Sequence, residues 1–198
     1  AIITHMDYQI GRILEHLNKT GQAENTYIFF TADHGLSVGH HGLLGKQNLY
    51  DHSVRVPFVA TGPGIEKDKK NNSPIYFQDV MATSLDIAKA DKPDHVQFQS
   101  LLPMLEGEKK GGLKSVYGTY VHFQKMVVSG HHKLLLFPKA EKALLFDLKD
   151  DPEEINDISE KPGSRQIMKR LFHELLDLQK ESGDTFELKP IYPELAKK

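Results

Sequence analysis

Apolar residues at Ile3, Met6, Ile10, Ile13, Leu14 and Leu17 recur every three or four positions, with Asp7, Arg12, Glu15 and Lys19 mostly between them. That spacing predicts an amphipathic helix with one face toward a core. Gly21 stands where such a helix stops. The pattern is already running at Ile2 with no capping residue before it, so the chain is expected to be the C-terminal part of a longer protein. Tyr27 to Thr31 is then a continuous apolar run without alternation, which predicts a strand buried on both faces. A helix feeding such a strand is half of a βαβ layout, so a helix/parallel-strand layer is expected. Val56 to Ala60 reads as a second short buried strand, ended by the turn Gly62-Pro63-Gly64. Residues 66–73 are charged and polar and predict an exposed loop. Phe77, Val80, Met81, Leu85 and Ala88 predict a second helix with one apolar face.

From about residue 111 the pattern changes. Val116 to Val121, Lys125 to Val128, Lys133 to Phe137 and Leu144 to Leu148 are short strand-like runs separated by turn residues. Their close spacing predicts an antiparallel meander. Ile167, Met168, Leu171, Phe172, Leu175 and Leu176 mark a third amphipathic helix, with Ser164 as its expected N-cap and Gly183 as its stop. The last fifteen residues read as a tail. The expected organisation is an α/β layer over 1–108 followed by a small antiparallel sheet with one packed helix over 109–198.

Composition narrows this little. Lys and Arg total 25 against 27 Asp and Glu, a formal charge of −2, which argues against a basic nucleic-acid surface. No run approaches the roughly 18 apolar residues of a membrane span. The absence of cysteine excludes disulfides, thiolate metal ligands and a cysteine nucleophile within these 198 residues.

The chemistry concentrates between Thr31 and Pro57. In open α/β sheets ligands sit beyond the carboxyl ends of strands, and Asp33 and His34 fall there. A carboxylate and an imidazole side by side at a strand end can both reach one metal ion, while Gly35 lets the backbone turn tightly. Taken alone, Asp33-His34-Gly35 reads rather as a turn in which Asp33 bonds its own backbone. The neighbourhood shifts the balance: four of the eleven histidines, His34, His40, His41 and His52, lie between residues 34 and 52, with Lys46 among them. Lys46 reads either as a point charge that neutralises an anion in a cleft or as one more exposed lysine. His40 and His41 read as ligands, as proton donors or as loop surface. Asp51, His52 and Arg55 read as a structural ion cluster holding the loop against Val56.

Taken in order, Thr31-Ala32-Asp33-His34-Gly35, Gly39-His40-His41-Gly42, Gly45-Lys46-Gln47 and Tyr50-Asp51-His52-Ser53-Val54-Arg55-Val56-Pro57 resemble the C-terminal half of the sulfatase family. These are the arylsulfatase-like members of the alkaline phosphatase superfamily. Ile3 to Asp7 with Gln9 to Ile13 is similar to the family's helix before this strand. Leu145 to Leu148, with Asp151 to Glu154 and Asn156, is similar to its last strand and acidic turn. The likeness spans nearly the whole chain.

The resemblance implies an alkaline-phosphatase-like sandwich with a parallel or mixed sheet, and hydrolysis of a sulfate monoester of a sulfated carbohydrate or another small organic sulfate. It implies Asp33 and His34 as ligands of a divalent metal, usually calcium, with Lys46 contacting the sulfate and His41 as a less secure catalytic candidate. Calcium prefers oxygen ligands and imidazole suits other metals better, so His34 leaves zinc and manganese open. Family members use a formylglycine made from Cys or Ser in a Cys/Ser-x-Pro-x-Arg motif. No serine of this chain begins that motif, so the nucleophile is expected upstream, in the missing N-terminal half, and the chain alone is expected to be inactive. The alternatives are a metal-dependent phosphodiesterase or phosphonate-ester hydrolase of the same superfamily, or a non-catalytic binding module on the same fold.

Overall fold

The computed structural model describes residues 1–197. In chain order its elements are α1 (Ile2–Lys19), β1 (Ile28–Thr31), α2 (Asp51–Val54), β2 (Phe58–Thr61), α3 (Asp79–Ile87), α4 (Leu102–Leu105), β3 (Ser115–Tyr120), β4 (Gln124–Ser129), β5 (His132–Phe137), β6 (Lys142–Asp147), α5 (Ser164–Glu181) and α6 (Pro193–Ala196). They fall into two compact units. One comprises Ala1–Thr31, Pro57–Asn71 and Gln78–Gly111; the other comprises Ala32–Val56, Asn72–Phe77 and the chain from Gly112 onward. A split between residues 108 and 109 separates segment 32–56 from the C-terminal sheet; the residue contacts join them.

In the first unit, α1 forms where its apolar spacing places it. It ends with Gly21 at a positive φ of 69°, the Gly21 N–H bonded to Asn18 O and the Gln22 N–H to Leu17 O, the paired bonds of a Schellman stop. No residue of the helix is buried, however, and Ile2 and Ile13 are 86% and 64% exposed. The expected parallel strands are instead an antiparallel pair, β1 on β2, with Ile28 opposite Thr61 and Thr31 opposite Phe58. An apolar run records burial and leaves pairing direction open, which is why periodicity misjudged it. Nor are both faces covered: Phe30 and Val59 are exposed. Elsewhere in this unit, the Thr83 hydroxyl of α3 donates to Asp79 O at 2.7 Å and accepts the Leu101 N–H at 2.9 Å. That bridge ties the segment after α3 back to the helix, in which Ala82 is buried.

The second unit is built on a four-stranded antiparallel meander, β3-β4-β5-β6, as the strand spacing predicts. Its residues alternate between two covered faces. Val127, Leu134, Leu136 and Leu145 pack under α5 against Met168, Leu171, Phe172 and Leu175. Met126, Leu135, Leu144 and Phe146 form the opposite face, which Leu49 joins. Each face also buries one lysine. Lys125 meets Asp184 under the helix, where Asp184 also accepts the Tyr117 hydroxyl at 2.6 Å. Burial pushes the Asp184 carboxyl up, but hydrogen bonds from Lys125, Tyr117, the Phe186 N–H and Gln179 hold it well below the usual carboxylate range. Gly183 stops α5 as expected, and its turn delivers Asp184 to Lys125. Ser164 is the first helical residue, preceded by Gly163 at φ 87°, and makes no capping bond from its side chain. The predicted tail is instead part of the core: Leu188, Tyr192 and Leu195 are buried, and α6 packs on α5. Its prolines and lysines hid three apolar anchors spaced four and three residues apart.

Candidate functional site

Segment 32–56 holds Asp33, His34 and Lys46 together. Asp33 Oδ1 accepts the backbone N–H of His34 at 3.0 Å, as the turn reading expects, and this leaves Oδ2 facing the His34 ring, 3.2 Å from Nε2. His34 Nδ1 lies 2.9 Å from the Gly35 carbonyl oxygen. A carbonyl only accepts, so Nδ1 carries the proton and Nε2 presents its lone pair. Lys46 Nζ lies 2.5 Å from that nitrogen and donates to it. A carboxylate oxygen, an imidazole lone pair and an ammonium thus converge on one point, and the first two are donors that a cation could share.

The glycine after His34 is needed for a reason the sequence reading did not supply. Its φ is not in the positive range; instead, a Cβ there would meet the His52 carbonyl oxygen at 2.0 Å. The Gly35 N–H bonds to Ser53 O at 2.9 Å, so the turn at Gly35 and α2 touch backbone to backbone. The sharp turns lie further on, at Gly39, His41 and Gly42, with φ of 105°, 54° and 72°.

Two fully internal polar residues tie the loop together. Ser37 is wholly buried and Asn48 nearly so. Asn48 Nδ2 donates to Ser37 Oγ at 3.0 Å, and Ser37 Oγ lies 2.8 Å from His52 Nε2. Ser37 Oγ, with one proton and two lone pairs, thus joins the Asn48 amide and the His52 ring in one hydrogen-bonded chain. Burial lowers the His52 pKa, and His41, His40 and Lys133 lower it further against the opposing charge of Asp51. Ring stacking continues the packing: His41 lies over Tyr50 at 4.0 Å and 11°. His41 Nε2 is 3.1 Å from the Glu153 carbonyl oxygen and so donates to it.

The loop is clamped to the sheet by charge. Lys133 of β5 is completely buried and reaches Asp51 Oδ1 at 2.8 Å and Glu154 Oε1 at 2.6 Å. Glu154 Oε2 accepts the Asp51 N–H at 2.6 Å. Burial raises the Glu154 pKa, opposed by Lys133 and by the Asp51 N–H. Nearby, Leu49 packs into the sheet's apolar face while its N–H bonds Gln124 Oε1 at 2.9 Å. The expected Asp51–Arg55 contact exists at 3.6 Å, but Arg55 is 74% exposed; the partner that counts is Lys133, 82 positions away in sequence.

The structure therefore unites Asp33, His34 and Lys46 and places His41 among Tyr50, His52 and the Glu153 carbonyl. Sequence reasoning missed Ser37, Asn48 and Lys133. Buried polar residues carry no pattern of their own, although Lys133 interrupts an otherwise apolar strand, and that was the available signal. For a divalent cation the donors fit in part. Asp33 Oδ2 and His34 Nε2 are close enough to share an ion, and the Nδ1 bond to Gly35 O is the outer contact that orients a ligating histidine. Two donors do not complete a coordination shell.

A loop after a strand that carries Asp-His-Gly and a lysine, pinned to a C-terminal four-stranded sheet with one helix, defines the C-terminal part of a sulfatase-like α/β protein. The family described as "N-sulphoglucosamine sulphohydrolase, C-terminal" matches residues 39–181. The chain belongs to this sulfatase family. It is 31% identical over 197 residues to an N-acetylglucosamine-6-O-sulfatase of Bacteroides thetaiotaomicron, covering 93% of this chain and 35% of that protein. A protein solved in complex with its substrate D-glucosamine-2-N,6-O-disulfate superposes with a TM-score of 0.85 at 29% identity, over 92% of this chain and 40% of that one. The phosphonate monoester hydrolase of Silicibacter pomeroyi superposes at 0.79 with 26% identity, over 90% and 39%. The chain thus spans about a third of the curated relative's length.

Proposed function

We propose that the whole protein is a sulfatase that hydrolyses a sulfate monoester, with a sulfated glucosamine as substrate. The observation that carries this reading is the convergence of Asp33 Oδ2, the His34 Nε2 lone pair and Lys46 Nζ within 3.2 Å of the imidazole nitrogen. The names of two similar proteins, an N-acetylglucosamine-6-O-sulfatase and one bound to a disulfated glucosamine, support the substrate class. Asp33 and His34 would hold a divalent ion, with further ligands from the part of the protein this chain does not span. One oxygen and one nitrogen donor suit calcium completed by carboxylates, or zinc or manganese. Such an ion supplies Lewis-acid polarisation of the sulfate oxygens. Lys46 donates to a sulfate oxygen and neutralises charge that grows in the transition state. Its present partner, Nε2, is the atom a cation would claim, so loading frees the ammonium for the substrate. The contacts of His41 support a scaffolding role for it, holding the loop to the acidic turn. The nucleophile, a formylglycine by family resemblance, belongs to the part not spanned here.

The test is release of inorganic sulfate from N-acetylglucosamine 6-sulfate by the full-length protein, beside hydrolysis of a phosphonate monoester. The proposal expects the sulfate ester to be the better substrate. Preference for the phosphonate would transfer the assignment to the phosphonate hydrolases, whose fold is also similar.

A further inference from the structure

A second cluster of metal-ligating side chains lies outside this site, at the hairpin joining β4 to β5. Ser129 pairs with His132, so Gly130 and His131 form a two-residue connection. Gly130 takes a φ of 62°, which a two-residue hairpin turn asks of its first central position and which glycine meets without strain. Successive residues of an extended strand point to opposite faces. Here the turn redirects His131, and the rings of His131 and His132 lie 4.1 Å apart at 39°. Across the ladder His132 sits opposite Asp147 of β6. Asp147 Oδ2 is 3.7 Å from His131 Nε2, while its Oδ1 accepts the Lys149 N–H at 3.0 Å. The Leu148 N–H bonds His131 O at 2.7 Å, tying the turn to the end of β6. One ligand atom from each of the three side chains lies within 4.8 Å of the other two, the one such trio of His, Cys, Asp or Glu among the described residues.

We propose that His131, His132 and Asp147 form a site for a divalent transition-metal ion of the zinc type, with water completing the shell. Two nitrogens and one oxygen are the donors zinc takes, and they suit calcium poorly. Zinc–nitrogen bonds of about 2.0–2.1 Å put neighbouring tetrahedral ligand atoms roughly 3.3 Å apart, closer than the present spread. His131 is half exposed and can rotate into place. Asp147 needs little movement, because the Lys149 N–H orients one carboxylate oxygen and leaves the other free. The ion would pin the β4–β5 turn to β6, independently of the reaction proposed above.

The test titrates the full chain with Zn2+ alone by calorimetry, with thermal melting alongside. A variant carrying His131→Ala and His132→Ala, and a second carrying Asp147→Asn, are compared with the wild type after circular dichroism confirms that each is folded. The expected result is one fewer Zn2+ bound by the double variant, at least tenfold weaker binding at this site in Asp147→Asn, and a Zn2+-dependent rise in Tm that shrinks in both. Asp33 and His34 are intact in both variants, so a change here reports on the hairpin. Equal stoichiometry and affinity in all three proteins would overturn the proposal and leave these residues as a surface ion pair.

Discussion

Replacing Lys133 by Met tests how the site loop is fastened to the sheet. Met keeps most of the stem and removes the charge. The ammonium it deletes is wholly buried and bonded to Asp51 Oδ1 at 2.8 Å and Glu154 Oε1 at 2.6 Å, carboxylates that are 15% and 1% exposed. An exposed ion pair is worth about 0–1 kcal/mol because water screens it. No such discount applies here, and removing one partner of a buried pair costs about 3–5 kcal/mol, because the remaining charge stays buried without its counterion. The variant also leaves two carboxylates facing one another, with Arg55 reaching Asp51 only from solvent at 3.6 Å. We therefore expect urea unfolding at pH 7, followed by circular dichroism, to show a loss of about 3–5 kcal/mol. The loss should depend on pH. Burial already raises the Glu154 pKa above 4.5, and Lys133 is the main force opposing it; without Lys133 the folded value rises further. A carboxyl with a folded pKa above its unfolded one contributes stability below the unfolded value and loses it as pH rises through the folded value. The deficit should thus narrow between pH 7 and pH 5. Adding Glu154→Gln to Lys133→Met should restore part of it by removing one of the two like charges. A loss below about 1 kcal/mol, or one independent of pH, would refute the reasoning.

Three further outcomes follow from the same contacts. Gly35→Ala should lower the unfolding free energy by about 1–3 kcal/mol, since its Cβ would meet the His52 carbonyl oxygen at 2.0 Å and only backbone can give way; an unchanged urea midpoint would refute the close approach. The His52 pKa is held below its ordinary 6.5 by burial and by His41, His40 and Lys133, so the unfolded chain binds more protons and stability should fall as pH drops below about 6.5; in His52→Gln this slope should flatten, and an identical slope would show that burial does not hold the ring neutral. The isolated chain should self-associate through α1, where Ile2, Ile3 and Ile13 stand exposed; light scattering that reports a stable monomer would contradict this.

The strands of the meander and the ends of α1 and α5 were legible because local patterns encode them. Alternation, turn residues and a glycine past the last helical turn act over a few positions. Pairing direction in β1–β2 was not legible, because an apolar run looks the same in either orientation. Burial failed at α1 for a related reason: periodicity says which face is apolar and nothing about what covers it. In the site, Asp33 and His34 stood out by adjacency and Lys46 by motif. The clamp was invisible because Asp51, Lys133 and Glu154 are joined only by the fold, and the one hint was a lysine inside the apolar run of β5. Leu188, Tyr192 and Leu195 were lost among charged and proline neighbours that signal exposure on average.

Asp33, His34 and Lys46 are proposed to act together on a sulfate ester. The most direct measurement is kcat/KM of the full-length protein and its Lys46→Ala variant on N-acetylglucosamine 6-sulfate, with Tm recorded for both. Lys46 is exposed, so Tm should hold while kcat/KM falls about a hundredfold or more, as expected for loss of a group that stabilises transition-state charge. A variant that keeps the wild-type kcat/KM would contradict the account.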